Sequence, residues 1–255
     1  MLVLGFVGSP RKNGRTNQLV DAALRGAAAA GADTRKLYLA DYAIVPFLGS
    51  GGSTEAFGYG PEELSQLCGE ADAIVLGAPV YWGDINGLTK DFMDTVRTPG
   101  ENGKPALGIA IAGGSGKGLL SGAQSLYHFF YHRQMRAIDP TPVSRFNMTE
   151  ALGALEASGA RLVAMAEDPQ PFPGEERDQR WGAVLAHYCT LPYLNCDPLD
   201  EFVMLAEQLI RTSSGERAAR AQAELNRAMA LIEEGRRSEA APHAFGAYQI
   251  LYHTH

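Results

Sequence analysis

The stretch Gly5-Phe-Val-Gly-Ser-Pro-Arg-Lys-Asn-Gly-Arg-Thr-Asn-Gln-Leu19 decides how this chain reads. It closes an apolar run over residues 2–7 and passes through a small, polar, basic loop into a segment with helical spacing. A strand that feeds such a loop into a helix builds an anion cradle, because the first N–H groups of a helix lack intrahelical partners and carry the positive end of its dipole. Ser9, Asn13, Thr16 and Asn17 add hydroxyl and amide groups at the same spot. Two more glycine-bearing loops, residues 79–83 and 112–118, also follow apolar runs. Three strand ends can therefore meet one ligand at the carboxyl edge of a parallel sheet. Together they read as a mononucleotide site.

Outward from that stretch, Leu19, Val20, Ala23, Leu24 and Ala27 keep helical spacing as far as Gly31, and residues 34–39 read as a second strand, completing a βαβ unit. Residues 43–60 are rich in Gly and Ser and read as a long loop, followed by a helix from about Pro61 and a buried strand over 73–77. Leu88, Phe92 and Val96 lie four apart, on one face of a helix. Residues 106–112 are apolar throughout, as in a central parallel strand covered on both faces. An aromatic-rich helix over 119–134, a short fifth strand over 135–138 and a helix within 150–167 follow. The pattern is α/β, a doubly wound five-stranded parallel sheet.

The stretch Asp168-Pro-Gln-Pro-Phe-Pro-Gly174 cannot continue a helix and reads as a linker. It divides the chain into 1–168, the sheet domain, and 169–255, a C-terminal helical extension and tail. Phe202, Leu205, Ala206 and Leu209 form one helical stripe there, and Ala218, Ala221, Leu225, Ala228 and Ile232 another. Residues 245–252 are apolar and aromatic, suited to packing on this subunit or a second one.

With 255 residues and a net charge of −7, basic residues scattered rather than clustered, the chain has no electrostatic footprint for nucleic acid or an anionic membrane surface. No apolar run approaches a membrane span, and no secretory signal opens the sequence. Cys68, Cys189 and Cys196 are too few and too badly spaced for a disulfide framework or a thiolate metal site. The expectation is a cytoplasmic protein acting on small molecules.

The motifs Gly8-Ser-Pro-Arg-Lys-Asn-Gly-Arg-Thr-Asn17, Glu70-Ala-Asp-Ala-Ile-Val-Leu-Gly-Ala-Pro-Val-Tyr-Trp-Gly-Asp84 and Leu88-Thr-Lys-Asp-Phe-Met-Asp94, in that order, resemble the flavodoxin-like NAD(P)H-dependent FMN reductase family over about residues 1–167. The resemblance implies FMN held by three loops. Ser9, Arg11, Thr16 and Asn17 would hold its phosphate, Pro79, Val80, Tyr81, Trp82 and Gly83 would line its ring, and Gly113, Gly114, Ser115 and Gly116 would form the third loop. It also implies NAD(P)H as co-substrate. Iron-sulfur relatives place a cysteine cluster where this chain has Val45-Pro-Phe-Leu-Gly-Ser-Gly-Gly52, so no cluster is expected.

Reducing a flavin asks the protein for positioning and for N–H groups aimed at the ring edge that gains negative charge, so no catalytic side chain is expected. Residues 113–118 are the candidate for that edge, with Lys117 as a supporting charge. Those residues do not form a triphosphate loop, since Gly118 stands where Ser or Thr is needed. His128 and His132, four apart among aromatics, read as core or interface rather than metal ligands. The expected activity is transfer of electrons from NAD(P)H to a small-molecule acceptor such as a quinone. A non-enzymatic electron carrier and a flavin-binding regulatory or assembly module are the alternatives. The aromatic helix and apolar tail exceed what one core requires and suggest a homodimer or tetramer.

Overall fold

The apolar run Leu2–Val7 forms the strand β1, and in the computed structural model, which describes residues 1–47, 61–97 and 101–253, it leads into α1 (Arg15–Ala29) and β2 (Asp33–Tyr38). There follow α2 (Glu62–Glu70), β3 (Ala73–Tyr81), β4 (Asp84–Ile85), α3 (Gly87–Thr95), β5 (Pro105–Ala112), α4 (Leu119–His132), β6 (Arg136–Ala137), β7 (Val143–Ser144) and α5 (Met148–Glu167). The sheet runs β2-β1-β3-β5-β6 and every pairing on that path is parallel. Of the glycine- and serine-rich loop expected over 43–60, residues 48–60, and with them most of the stretch 45–52, lie outside the described residues.

Two strands differ from their expected extent. β3 runs on to Tyr81, so most of the second ligand loop is strand end, and the chain then turns back through β4, which pairs antiparallel with Val80 and Tyr81. The fifth strand is split, β6 pairing with the start of β5 and β7 with its end. Pro140 and Pro142 lie between the two pieces and offer no N–H for a ladder.

Strand alternation sends side chains into two layers. Val3, Val7, Val75, Leu107, Ile109 and Ile111 meet α1 and α5, while Leu4, Phe6, Ile74, Leu76 and Ala110 meet α2, α3 and α4. In the first layer two helices touch backbone to backbone: a Cβ added at Gly26 would lie 1.8 Å from the Glu156 carbonyl oxygen, and one at Gly159 1.9 Å from that of Ala23.

Past the linker come α6 (Trp181–Cys189), α7 (Pro198–Arg211), α8 (Gly215–Glu233) and α9 (Arg237–Tyr252). Asp197 caps α7 by accepting the Leu199 and Asp200 amides, with Pro198 in the first turn. The linker marks a change of composition, yet the apolar core runs across it. Val184, Tyr188, Leu205, Leu209, Tyr248 and Leu251 join the cluster that already holds Tyr127, Phe129 and Phe130 of α4. Tyr127 and Phe130 are fully buried, and the hydroxyls of Tyr127 and Tyr188 donate to the carbonyls of Ile138 and Met135 at 2.6 and 2.8 Å. The aromatic surplus that suggested a second subunit is thus largely used within one chain. No described helix is long and apolar enough to cross a membrane.

Candidate functional site

The first two loops are tied together before any ligand is considered. The Gly8 amide donates to the Gly77 carbonyl at 2.7 Å. Asn86, buried ahead of α3, donates its side-chain amide to the Gly8 carbonyl at 2.8 Å, accepts the Thr89 hydroxyl at 2.7 Å, and donates its backbone N–H to the Pro79 carbonyl at 3.0 Å. A Cβ on Gly8 would stand 1.9 Å from the Thr89 hydroxyl oxygen, so only glycine admits this contact. In the sequence Asn86 does not stand out, and Thr89 appears only inside the Leu88–Asp94 motif. Their cross-chain role depends on sequence separations of 78 residues and could not be read locally.

Above this tie lies a cleft of about 640 Å³, within the range of roughly 300 to 1,000 Å³ usual for ligand pockets. Ser9, Arg11, Asn13, Gly14, Arg15, Thr16 and Gln18 wall one side, and Pro79, Val80, Tyr81, Ile111, Gly113 and Gly114 the other. Among the described residues of this lining the charged ones are two arginines, in a chain of net charge −7. Ser9 and Thr16 are buried, the Ser9 hydroxyl oxygen accepting the Arg11 amide at 3.1 Å. α1 begins at Gly14 with no side-chain cap, so its head faces this polar wall open. Buried hydroxyls, two guanidinium groups, an uncapped helix and, among the described residues, no carboxylate fit a phosphate monoester.

The expected site residues are not all placed alike. Ser9, Arg11, Thr16, Pro79, Val80, Tyr81, Gly113 and Gly114 line the cleft. The Asn17 side chain does not: it accepts from Lys36 at 2.8 Å and from the Tyr38 hydroxyl at 2.9 Å, and donates to Asp21 at 3.1 Å, which commits it to β2. Trp82 is fully exposed with φ +55°, the left-handed region a bulky residue rarely adopts, at the turn between β3 and β4. Gly83 faces the third loop, where a Cβ on Gly118 would fall 2.3 Å from the Gly83 Cα. The third loop divides. Gly113 and Gly114 are exposed beside Arg15, whose guanidinium donates to the Gly113 carbonyl at 3.4 Å, whereas Ser115 and Gly116 turn to the extension. Asn13, Gly14, Arg15, Gln18 and Ile111 complete the cleft, and of these Gln18 and Ile111 carry no local signal of the role.

The extension holds that far half. Gly116 sits at φ +86°, and a Cβ there would meet Leu205 at 2.5 Å. The Tyr248 hydroxyl donates to the Ser115 carbonyl at 2.9 Å. Glu201, buried on α7, accepts the Gly118 and Leu120 amides, both at 2.9 Å, on its two carboxylate oxygens. Lys117 points the same way: its ammonium lies 5.7 Å from the Phe202 ring centre and 5.9 Å from that of Phe245. Attraction to two ring faces therefore turns it from the cleft, and it is not the supporting charge expected there.

Burial pushes the Cys68 thiol up to about 12, while Cys189 is exposed and Cys196 half-buried. Among the described residues, no three His, Cys, Asp or Glu side chains gather as metal ligands.

The model of the NADPH-dependent FMN reductase family matches residues 1–147. An iron-sulfur flavoprotein of Methanocaldococcus jannaschii is 34% identical over 153 residues, covering 55% of this chain and 79% of the relative. One of Archaeoglobus fulgidus is 31% identical over 126 residues, 46% of this chain and 57% of the relative. Among solved structures, an oxidoreductase from Corynebacterium diphtheriae superposes with a TM-score of 0.51 at 17% identity, over 64% of this chain and 96% of the other. At that identity the likeness is one of fold. The family match ends at residue 147, short of the helical extension.

Proposed function

The chain belongs to the NADPH-dependent FMN reductase family and is a flavin-dependent NAD(P)H oxidoreductase with FMN as cofactor; on that premise we propose that its acceptor is a quinone or another small electron-poor molecule, reduced in the second of two half-reactions. The observation that carries this reading is the single cleft wall on which buried hydroxyls, two guanidinium groups and an uncapped helix head come together, opposite exposed backbone at Gly113 and Gly114. FMN, when bound, supplies the hydride acceptance and the onward electron transfer.

Ser9, Thr16, Arg11 and the head of α1 would hold the phosphate. Val80, Tyr81, Gly113 and Gly114 would border the ring, the glycines leaving the backbone close enough to present its N–H groups. Tyr81, 45% exposed, stands where a nicotinamide and then an acceptor would enter in turn. A carrier that docks a protein partner through an acidic rim is less well supported, since no carboxylate is found among the described residues that line the cleft. We keep a homodimer as the proposed assembly, now on the exposed Trp82 rather than on α4, with light scattering at low micromolar concentration as its check.

Stopped-flow mixing with NADH and NADPH tests the reading. Bound FMN should be reduced within seconds, and steady-state rates with a quinone should give the parallel lines of two half-reactions. FMN that stays oxidised under anaerobic excess of both nucleotides would return the protein to the carrier class. Trp82→Ala should change turnover with little effect on stability, because the side chain is fully exposed.

A further inference from the structure

We propose that Glu201 is a positioning residue for the FMN site: its buried carboxylate holds the head of α4 and, with Tyr248 and Leu205, sets the conformation of residues 113–118, so that the helical extension controls how tightly FMN binds and how readily it is reduced. This rests on the FMN reading above. A carboxylate removed from water is costly unless its oxygens are satisfied, and here each oxygen accepts a backbone N–H at 2.9 Å from the first turn of a helix whose dipole favours negative charge.

The contact is specific to a carboxylate. Gly118 and Leu120 present two donors, so glutamine could meet one with its oxygen but would aim an amide N–H at the other. Its effect reaches the cleft along the backbone. Gly118 lies two residues past Gly116, which Leu205 of the same helix presses at 2.5 Å from a would-be Cβ, and three past Ser115, whose carbonyl Tyr248 holds. Gly113 and Gly114, the exposed cleft residues, begin that same loop. The carboxylate also neutralises the positive end of α4, which would otherwise favour an anionic reduced flavin beside it.

The test is titration of wild-type, Glu201→Gln and Tyr248→Phe apoproteins with FMN, together with the midpoint potential of the bound flavin and urea unfolding of each apoprotein. Loss of one charged hydrogen bond should weaken FMN about tenfold or more in Glu201→Gln, and loss of one neutral bond about threefold in Tyr248→Phe. The midpoint potential of Glu201→Gln should rise, a change that a merely structural cap would not produce. Tyr248→Phe should unfold close to wild type and decides the matter if Glu201→Gln does not fold. Unchanged FMN affinity in Tyr248→Phe, or unchanged affinity and potential in a folded Glu201→Gln, overturns the inference while the wild type still binds FMN. A wild-type protein that binds no FMN overturns the functional reading, and this inference with it.

Discussion

Helices α1 and α4 both begin at the carboxyl edge of the sheet, each after a glycine-bearing loop, and their heads are finished in opposite ways. The head of α1 has no side-chain cap and faces buried hydroxyls and two arginines. The head of α4 is filled by the carboxylate of Glu201 from 81 residues or more away. The open head of α1 is free to take an anion such as the phosphate of a flavin mononucleotide, and the closed head of α4 is not.

The contrast breaks most visibly at the two glycines that precede the helices. Gly118 has φ +83° and its would-be Cβ lies 2.3 Å from Gly83 backbone, so Gly118→Ala should cost about 3 kcal/mol or more in urea unfolding. Gly14 has φ −84° and a Cβ there would meet the Arg11 carbonyl oxygen at 3.1 Å, so Gly14→Ala should cost less than about 1 kcal/mol. Equal losses would mean that the heads are not built differently.

A smaller effect should follow from the cradle itself. Ser9→Ala or Thr16→Ala removes a hydrogen bond to a charged phosphate and should weaken FMN by roughly 1.5 to 3 kcal/mol, or about ten- to hundredfold, with a far smaller change in apoprotein stability. Titration of the two apoproteins reads this directly. An affinity left intact in both would move the phosphate away from α1.

The opposite edge of the sheet provides a control that should touch neither head. Burial pushes the Glu101 carboxyl up to about 7, although the Arg133 guanidinium 3.4 Å away works against that rise. Because the folded value lies above the ordinary carboxylate value, the stability is fully present at low pH and is lost as pH rises from about 4.5 through 7. The unfolding free energy should fall across that window by on the order of 1 kcal/mol, and Glu101→Gln should flatten the slope without altering FMN affinity.

The open head was legible and the closed one was not. Gly8 to Thr16 carries its chemistry in consecutive residues, so strand, cradle and helix could be read from one stretch. Glu201 sits in the acidic first turn of α7, where a carboxylate is ordinary, and its two donors come from another element. Asn17 and Lys117 show the same limit from the other side. Both types suit a phosphate or flavin site, yet β2 draws one away through Lys36 and Tyr38, and two extension rings draw the other. Alternation and apolar runs placed the five parallel strands, whereas the length of β3 and the split fifth strand depended on a pairing partner and on two prolines.

The most direct test of the cradle at α1 is titration of the apoprotein with FMN and with riboflavin, which differ only by the phosphate. FMN should bind at least about a hundredfold more tightly, and both Ser9→Ala and Thr16→Ala should shrink that ratio. Equal affinities for FMN and riboflavin in the wild-type protein would contradict the assignment of the open helix head as the phosphate site.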